Sequence, residues 1–252
     1  MAALLIDVGN TNFKWRWQTS DATLEGAGSS REPCTDAIAR LAADIGAPER
    51  VGLACVKSQQ YQEAMLDALR QHFAVEPFVA RVSGAACGLV NSYQDPARMG
   101  IDRWLAMIGV RHGFEGAFCV MDCGSAVTAD WVSETGQHLG GFILAGLRLS
   151  VGALLAGTDQ VIVDYDKLEH ADILPGASTT DAVYNGALFS LVAQVRSAYQ
   201  HLQRIAGDGA SQLVLTGGDA HLLARHLDCP CRIVGGLVFE GLEVMMNAAG
   251  DA

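Results

Sequence analysis

Leu4-Leu5-Ile6-Asp7-Val8-Gly9-Asn10-Thr11-Asn12-Phe13-Lys14 is the stretch that decides how this chain is read. Leu4 to Ile6 is a short apolar run that stops at a carboxylate. Gly9 and Asn10 tolerate positive φ, so the chain can reverse tightly there. Beyond the turn, Phe13, Trp15 and Trp17 alternate with Lys14 and Arg16, the period-two pattern of a strand. The stretch therefore reads as a hairpin with Asp7 at the tip of its first strand. Turn amides, a hydroxyl and Lys14 beside that carboxylate suit a phosphate chain with its Mg²⁺. Amides and ammonium would face anionic oxygens, and Asp7 the metal or its waters. An ordinary Asp-Gly-Asn hairpin uses the same residues, so the motif alone leaves both readings open.

The pattern then returns. Phe118-Cys119-Val120-Met121-Asp122-Cys123-Gly124-Ser125 is again an apolar strand, an Asp, one residue, a Gly and a small polar residue. Asp7, Gly9 and Asn10 align with Asp122, Gly124 and Ser125 at a constant offset close to half the chain. Val127 to Val132, a turn at Gly136, and Leu139 to Leu144 complete a second strand–turn–strand unit. A duplicated unit predicts two similar halves, 1–115 and 116–252. Each places an Asp-x-Gly turn at the mouth of a cleft, so that one ligand is gripped from both sides.

Between and after these units the chain alternates strands and helices, an α/β pattern. Asp21 to Pro33 reads as turns and an edge strand, with Gly26-Ala27-Gly28 a turn. Thr35 is placed to cap a helix reaching Ile45, Val51 to Val56 is a strand, Gln59 to Phe73 an amphipathic helix, and Pro77 to Val82 a strand. The loop 91–100 runs into a helix starting at Ile101. Asp102 falls in its first turn, either complementing the helix dipole or standing as a general base; Arg103 is a solvated charge or a ligand contact. Gly146 leads into a helix from Leu147 to Ala156. Thr158 to Leu174 is acidic and irregular, a candidate lid or dimer contact. Thr179 caps a long helix to about Ile205. A strand at Leu213 to Leu215 ends in Thr216-Gly217-Gly218-Asp219, a tight connection or a place where a nucleoside approaches the backbone. Two further helices span Ala220 to Leu227 and Leu237 to Asn247.

Composition narrows the function. The 252 residues are 50% hydrophobic with a net charge of −11, which argues against nucleic acid or an anionic membrane as the main partner. Seven scattered cysteines suit a reducing cytoplasm. Asp7 interrupts the first apolar run too early for a secretory signal, and Arg148 with many glycines breaks the longest apolar stretch, so no membrane span is expected. Cys229-Pro230-Cys231 has the wrong spacing for zinc, and no structural metal is predicted. Gly-x-x-x-x-Gly-Lys-Ser/Thr, a full dinucleotide fingerprint and Gly-x-Ser-x-Gly are all missing.

Taken in order, these motifs resemble the acetate and sugar kinase, heat-shock ATPase and actin superfamily, and within it the type III pantothenate kinases of the Bvg accessory factor branch. The resemblance rests on Asp7-x-Gly9-Asn10-Thr11-x-x-Lys14, Gly100-Ile101-Asp102-Arg103, Asp122-Cys123-Gly124-Ser125-Ala126-Val127-Thr128, Gly140-Gly141 with Gly146, Thr179 with Ala182 and Gly186, and Thr216-Gly217-Gly218-Asp219. It implies two ribonuclease-H-like halves around an inter-domain cleft, and ATP-dependent phosphorylation of pantothenate, the first step toward coenzyme A. Asp7, Val8, Gly9, Asn10, Thr11, Asn12, Phe13 and Lys14 would bind the triphosphate, with Asp7 serving Mg²⁺ and Ser125 contacting ATP. Asp102 would be the general base. Tyr93, Gly100, Ile101, Asp102, Arg103 and Thr179 would hold pantothenate, and Asp122 a monovalent cation, potassium or ammonium. A homodimer is also implied. Ser125 stands where the family often has Thr, Ala145 where it has Pro, and Ser178 where Asn is common. Cys123, inside the second turn, is a candidate for inhibition by alkylation. The competing readings are a kinase of another small alcohol and a non-catalytic ATP-binding regulator on the same fold.

Overall fold

The computed structural model describes residues 2–158, 161–164 and 171–250. Much of the acidic segment from Thr158 to Leu174, read above as a lid or dimer contact, lies outside these residues. The chain divides into two compact units: Met1–Gly113 together with Leu237–Ala252, and Phe114–Gly236.

The first unit is built on a five-stranded sheet in the order β3-β2-β1-β4-β5. Its strands are β1 (Ala3–Val8), β2 (Asn12–Gln18), β3 (Thr23–Ser29), β4 (Arg50–Cys55) and β5 (Phe78–Val79). β1 is central, antiparallel to β2 and parallel to β4. Leu4, Leu5 and Ile6 are fully buried because both faces of the sheet are covered. Leu4, Ile6 and Val8 pack with α1 (Cys34–Asp44) and α2 (Gln59–Phe73), through Ile38, Leu41, Met65 and Leu69. Leu5 points to the other face, where Gly52 lets Leu242 of α7 (Leu237–Gly250) approach the strands. α7 also lies against α3 (Ile101–Gly113): a side chain at Gly241 would collide with the Leu105 carbonyl. The last helix thus completes the first unit, whereas the halves drawn from the sequence assigned it to 116–252. The reason is packing: the sheet's second face needs an apolar cover that α3 alone does not supply.

The second unit repeats the plan, with strand order β10-β9-β8-β11-β12. These are β8 (Ala117–Cys123), β9 (Ala126–Val132), β10 (His138–Ala145), β11 (Ser211–Thr216) and β12 (Arg232–Ile233). As in the first unit, the central strand is antiparallel to the next in sequence and parallel to the fourth. α5 (Thr179–Ala206) lays Leu188, Leu191, Val195 and Leu202 onto Met121, Ala129, Leu213 and Leu215. α4 (Leu147–Ala156) and α6 (Ala220–Ala224) follow β10 and β11. Asp130 and His138 are buried in this unit and bonded to each other at 2.9 Å. The duplication seen in the sequence is therefore a duplication of sheet topology. Among the described residues no helix is long and apolar enough to cross a membrane.

Three local expectations change. Gly26-Ala27-Gly28 is not a turn but the middle of β3. Gly26 pairs with Trp15 and Gly28 with Phe13, and those rings lie across the glycines where a side chain would sit. α1 starts at Cys34 after Pro33, without a side-chain cap, so Thr35 is inside the helix. The cap of α5 is Ser178, whose hydroxyl accepts the Asp181 N–H at 3.1 Å, and Thr179 is the first helical residue. Three short strands were not foreseen: β12, and β6 (Ala85–Ala86) and β7 (Leu89–Val90), the last two joined by Cys87 and Gly88 at positive φ.

Candidate active site

In the first unit the Asp7–Lys14 stretch forms the predicted hairpin. Asp7 faces Lys14 and Val8 faces Phe13 across it, and the turn is closed by the Gly9 N–H donating to the Asn12 carbonyl at 2.9 Å. Asn10, Thr11, Asn12 and Lys14 are exposed, and Asp7 is half-buried. Val8 and Phe13 are buried in the core, so only their backbone can meet a ligand. The Lys14 ammonium has no hydrogen-bond or ion-pair partner among the described residues. An unpaired cation beside open turn amides fits a polyphosphate, and a strand-tip carboxylate next to it fits the accompanying divalent cation.

A second group of residues gathers at the start of α3, which packs on β4 of the same sheet. Asp102 is half-buried in the first turn, as expected. Its Oδ1 accepts the Arg103 N–H at 2.9 Å, and Oδ2 has no protein partner among the described residues. Gly100 fits closely here: a Cβ on it would lie 2.4 Å from Asp102 Oδ1. Arg103 is only 5% exposed and is not a solvated surface charge. Its Nη1 donates to the Tyr93 hydroxyl at 2.9 Å, and the guanidinium lies 5.8 Å from the centre of the Tyr93 ring. Tyr93 is fixed in turn by its N–H donating to Asn91 Oδ1 at 2.9 Å. Ile101 is buried. The structure thus brings Tyr93, Gly100, Asp102 and Arg103 into one cluster, a carboxylate with an open oxygen beside a buried guanidinium–phenol pair.

In the second unit three strand and helix tips converge. Asp122 sits at the end of β8, level with Thr216 of β11. Gly217, at φ +89°, carries the chain past it; a Cβ there would lie 2.4 Å from Asp122 Oδ1 and 2.6 Å from the Cys123 carbonyl oxygen. Closely set carboxylate and carbonyl oxygens are the ligand chemistry of a hard cation. The Asp219 N–H donates to the Cys123 carbonyl at 2.9 Å, and the Gly146 N–H donates to the Ser125 carbonyl at 3.1 Å. Burial pushes the Asp219 carboxyl up from its ordinary value, and Arg148 opposes that shift. Ser125 is exposed at the turn, and Thr179 is exposed at the start of α5. Cys123 corrects the alkylation reading: it is fully buried, and burial pushes its thiol up to about 12. It is a core side chain, not a reactive one.

Ser30 and Lys57 escaped the sequence reading. Ser30 is buried directly behind the Gly9–Asn12 turn, and Lys57 reaches it from the end of β4. Nothing local marks either residue, because their partners come from other strands.

The type III pantothenate kinase family profile covers residues 3–201. A type III pantothenate kinase from Chromohalobacter salexigens is 37% identical over 98% of this chain and 88% of its own length. Two solved structures share the fold. A conserved putative Baf family transcriptional activator from Campylobacter jejuni has a TM-score of 0.60 at 20% identity, over 99% of this chain and 100% of that one. A glucokinase from an Antarctic psychrotroph has a TM-score of 0.51 at 10% identity, over 98% and 99%. With the duplicated sheet and the motif positions described above, these matches show that the chain belongs to the type III pantothenate kinase family.

Proposed function

We propose that this chain transfers the γ-phosphoryl group of ATP to the primary hydroxyl of pantothenate, with Asp102 as the general base. Family membership over nearly the whole chain supports the reaction. The observation that carries the site assignment is the Asp102 carboxylate, held through one oxygen by the Arg103 N–H while the other stays open to accept a proton. A primary alcohol is a weak nucleophile until its proton has an acceptor. The Tyr93 hydroxyl and the Arg103 guanidinium present a charge-assisted donor pair for the pantothenate carboxylate. Lys14 and the turn amides hold the triphosphate, and Ser125 adds a hydroxyl contact. Mg²⁺ beside Asp7 would neutralise charge on the phosphate oxygens.

The same reading places a monovalent cation at Asp122, on the oxygens grouped around Gly217. It also includes a homodimer. Phe142 and Ile143 on edge strand β10, Leu149 and Leu154 on α4, and Phe189 on α5 are all exposed in the second unit, apolar side chains that a second protomer would cover. All seven cysteines are free, which fits a cytoplasmic setting.

ADP release, measured with and without pantothenate at high and at negligible potassium, tests the proposal. Release that requires pantothenate and rises with potassium is expected. Release indifferent to pantothenate would overturn the substrate assignment, and release indifferent to potassium or ammonium would remove the cation from Asp122.

A further inference from the structure

Ser30 is 1% exposed, yet it carries a hydroxyl that the reaction described above does not use. Its Oγ lies 3.1 Å from both the Gly9 and the Asn10 carbonyl oxygens, so one hydroxyl proton is shared between two acceptors. Its own N–H donates to the Thr11 carbonyl at 3.1 Å. Three successive carbonyls of the turn, at positions 9, 10 and 11, are therefore drawn toward one buried residue. In a planar trans peptide the C=O of one residue and the N–H of the next point in opposite directions. Carbonyls drawn back to Ser30 leave the N–H groups of Asn10 and Thr11 aimed the other way, toward the exposed side of the turn. Two adjacent amides directed at one point form an anion-binding concavity. Ser30 is held in its turn: its carbonyl accepts the Lys57 Nζ at 2.5 Å, and that ammonium lies 4.5 Å from the centre of the Tyr61 ring.

We infer that Ser30 is a positioning residue of the nucleotide site: by gathering the carbonyls of Gly9, Asn10 and Thr11, it pre-aims the turn amides at the phosphates of ATP, with Lys57 bracing it from behind. The inference rests on the phosphate-binding reading of the hairpin. Without the hydroxyl, the Gly9 and Asn10 peptides are free to rotate, and the amides must be ordered at the moment of binding.

The test compares Ser30→Ala, Ser30→Thr, Lys57→Met and Lys14→Ala. Each is measured for ATP dissociation constant, KM for ATP, KM for pantothenate and kcat, with the melting temperature alongside. Ser30→Ala should raise the ATP dissociation constant and KM for ATP about tenfold, the scale of one lost hydrogen bond. The KM for pantothenate should stay within about twofold of the parent, and Ser30→Thr, which keeps the hydroxyl, should recover most of the loss. Lys57→Met should move the same constant in the same direction by a smaller factor. This variant decides the question if Ser30→Ala does not fold. Unchanged ATP affinity in Ser30→Ala, or in Lys57→Met where that is the folded variant, overturns the inference if Lys14→Ala still weakens ATP binding. Unchanged ATP affinity in Lys14→Ala overturns the phosphate-site reading itself. Equal rises in both KM values would assign Ser30 to general folding and also overturn the inference.

Discussion

Gly100→Ala is the substitution that most sharply separates stability from catalysis in this site. Gly100 is absent from the positive-φ positions, so an alanine can adopt its backbone conformation. The Gly100 carbonyl would still accept the Trp104 N–H that opens α3. The collision is with one atom group: the new Cβ would lie 2.4 Å from Asp102 Oδ1. Normal contact is about 3.5 Å, so the carboxylate must retreat by about 1 Å. It would also give up its bond to the Arg103 N–H, worth about 1 kcal/mol. Stability should therefore fall by only about that amount, whereas a misplacement of about 1 Å at a reacting group costs about 10²-fold in rate. The assay is steady-state ADP release at saturating ATP and pantothenate, with thermal unfolding and ATP binding in parallel. A kcat lowered about 100-fold, with ATP affinity preserved, is expected. A kcat within about twofold of the parent in a folded Gly100→Ala protein would show that the carboxylate does not act from the position it holds against Gly100.

Three further outcomes follow from the same geometry. Arg103→Ala should raise the KM for pantothenate well before it alters ATP affinity; it should also lower the melting temperature, because the guanidinium is buried against Tyr93. Iodoacetamide should leave Cys123 unmodified in the native protein and label it in denaturant, as peptide mass mapping would read directly. Asp130→Ala removes the carboxylate partner of a buried histidine ring nitrogen, so chemical denaturation should show a loss of about 2 kcal/mol with kinetic constants little changed in the remaining folded enzyme.

The parts of this fold legible in the sequence are those encoded locally. The Asp-x-Gly turn recurs with its flanking apolar strands, so the doubled topology can be read without coordinates. α2 and α4 fall where apolar spacing and their flanking residues put them. What stayed hidden depends on partners distant along the chain. Gly26 and Gly28 look like turn residues until Trp15 and Phe13 are seen lying over them. No local feature of Leu237 to Gly250 says that it completes the first unit, because its match is the open face of a sheet begun at Ala3. The sequence leaves Arg103 either a solvated charge or a ligand contact; its burial and its bond to Tyr93, ten residues earlier, emerge only in the fold. Of the candidate site, Asp7, Lys14, Asp102 and Asp122 stand at element tips because their motifs specify strand ends and a helix start. Ser30 carries no motif, and its role emerges only from three carbonyls that converge on it.

The claim that Asp102 takes the proton of pantothenate's hydroxyl is tested most directly by Asp102→Asn, an isosteric change that removes the base and keeps the side chain's shape. Formation of 4′-phosphopantothenate should slow by about 10²–10⁴-fold while ATP binds as tightly as before. Product formation at near the parent rate would contradict the account and send the search for the proton acceptor elsewhere.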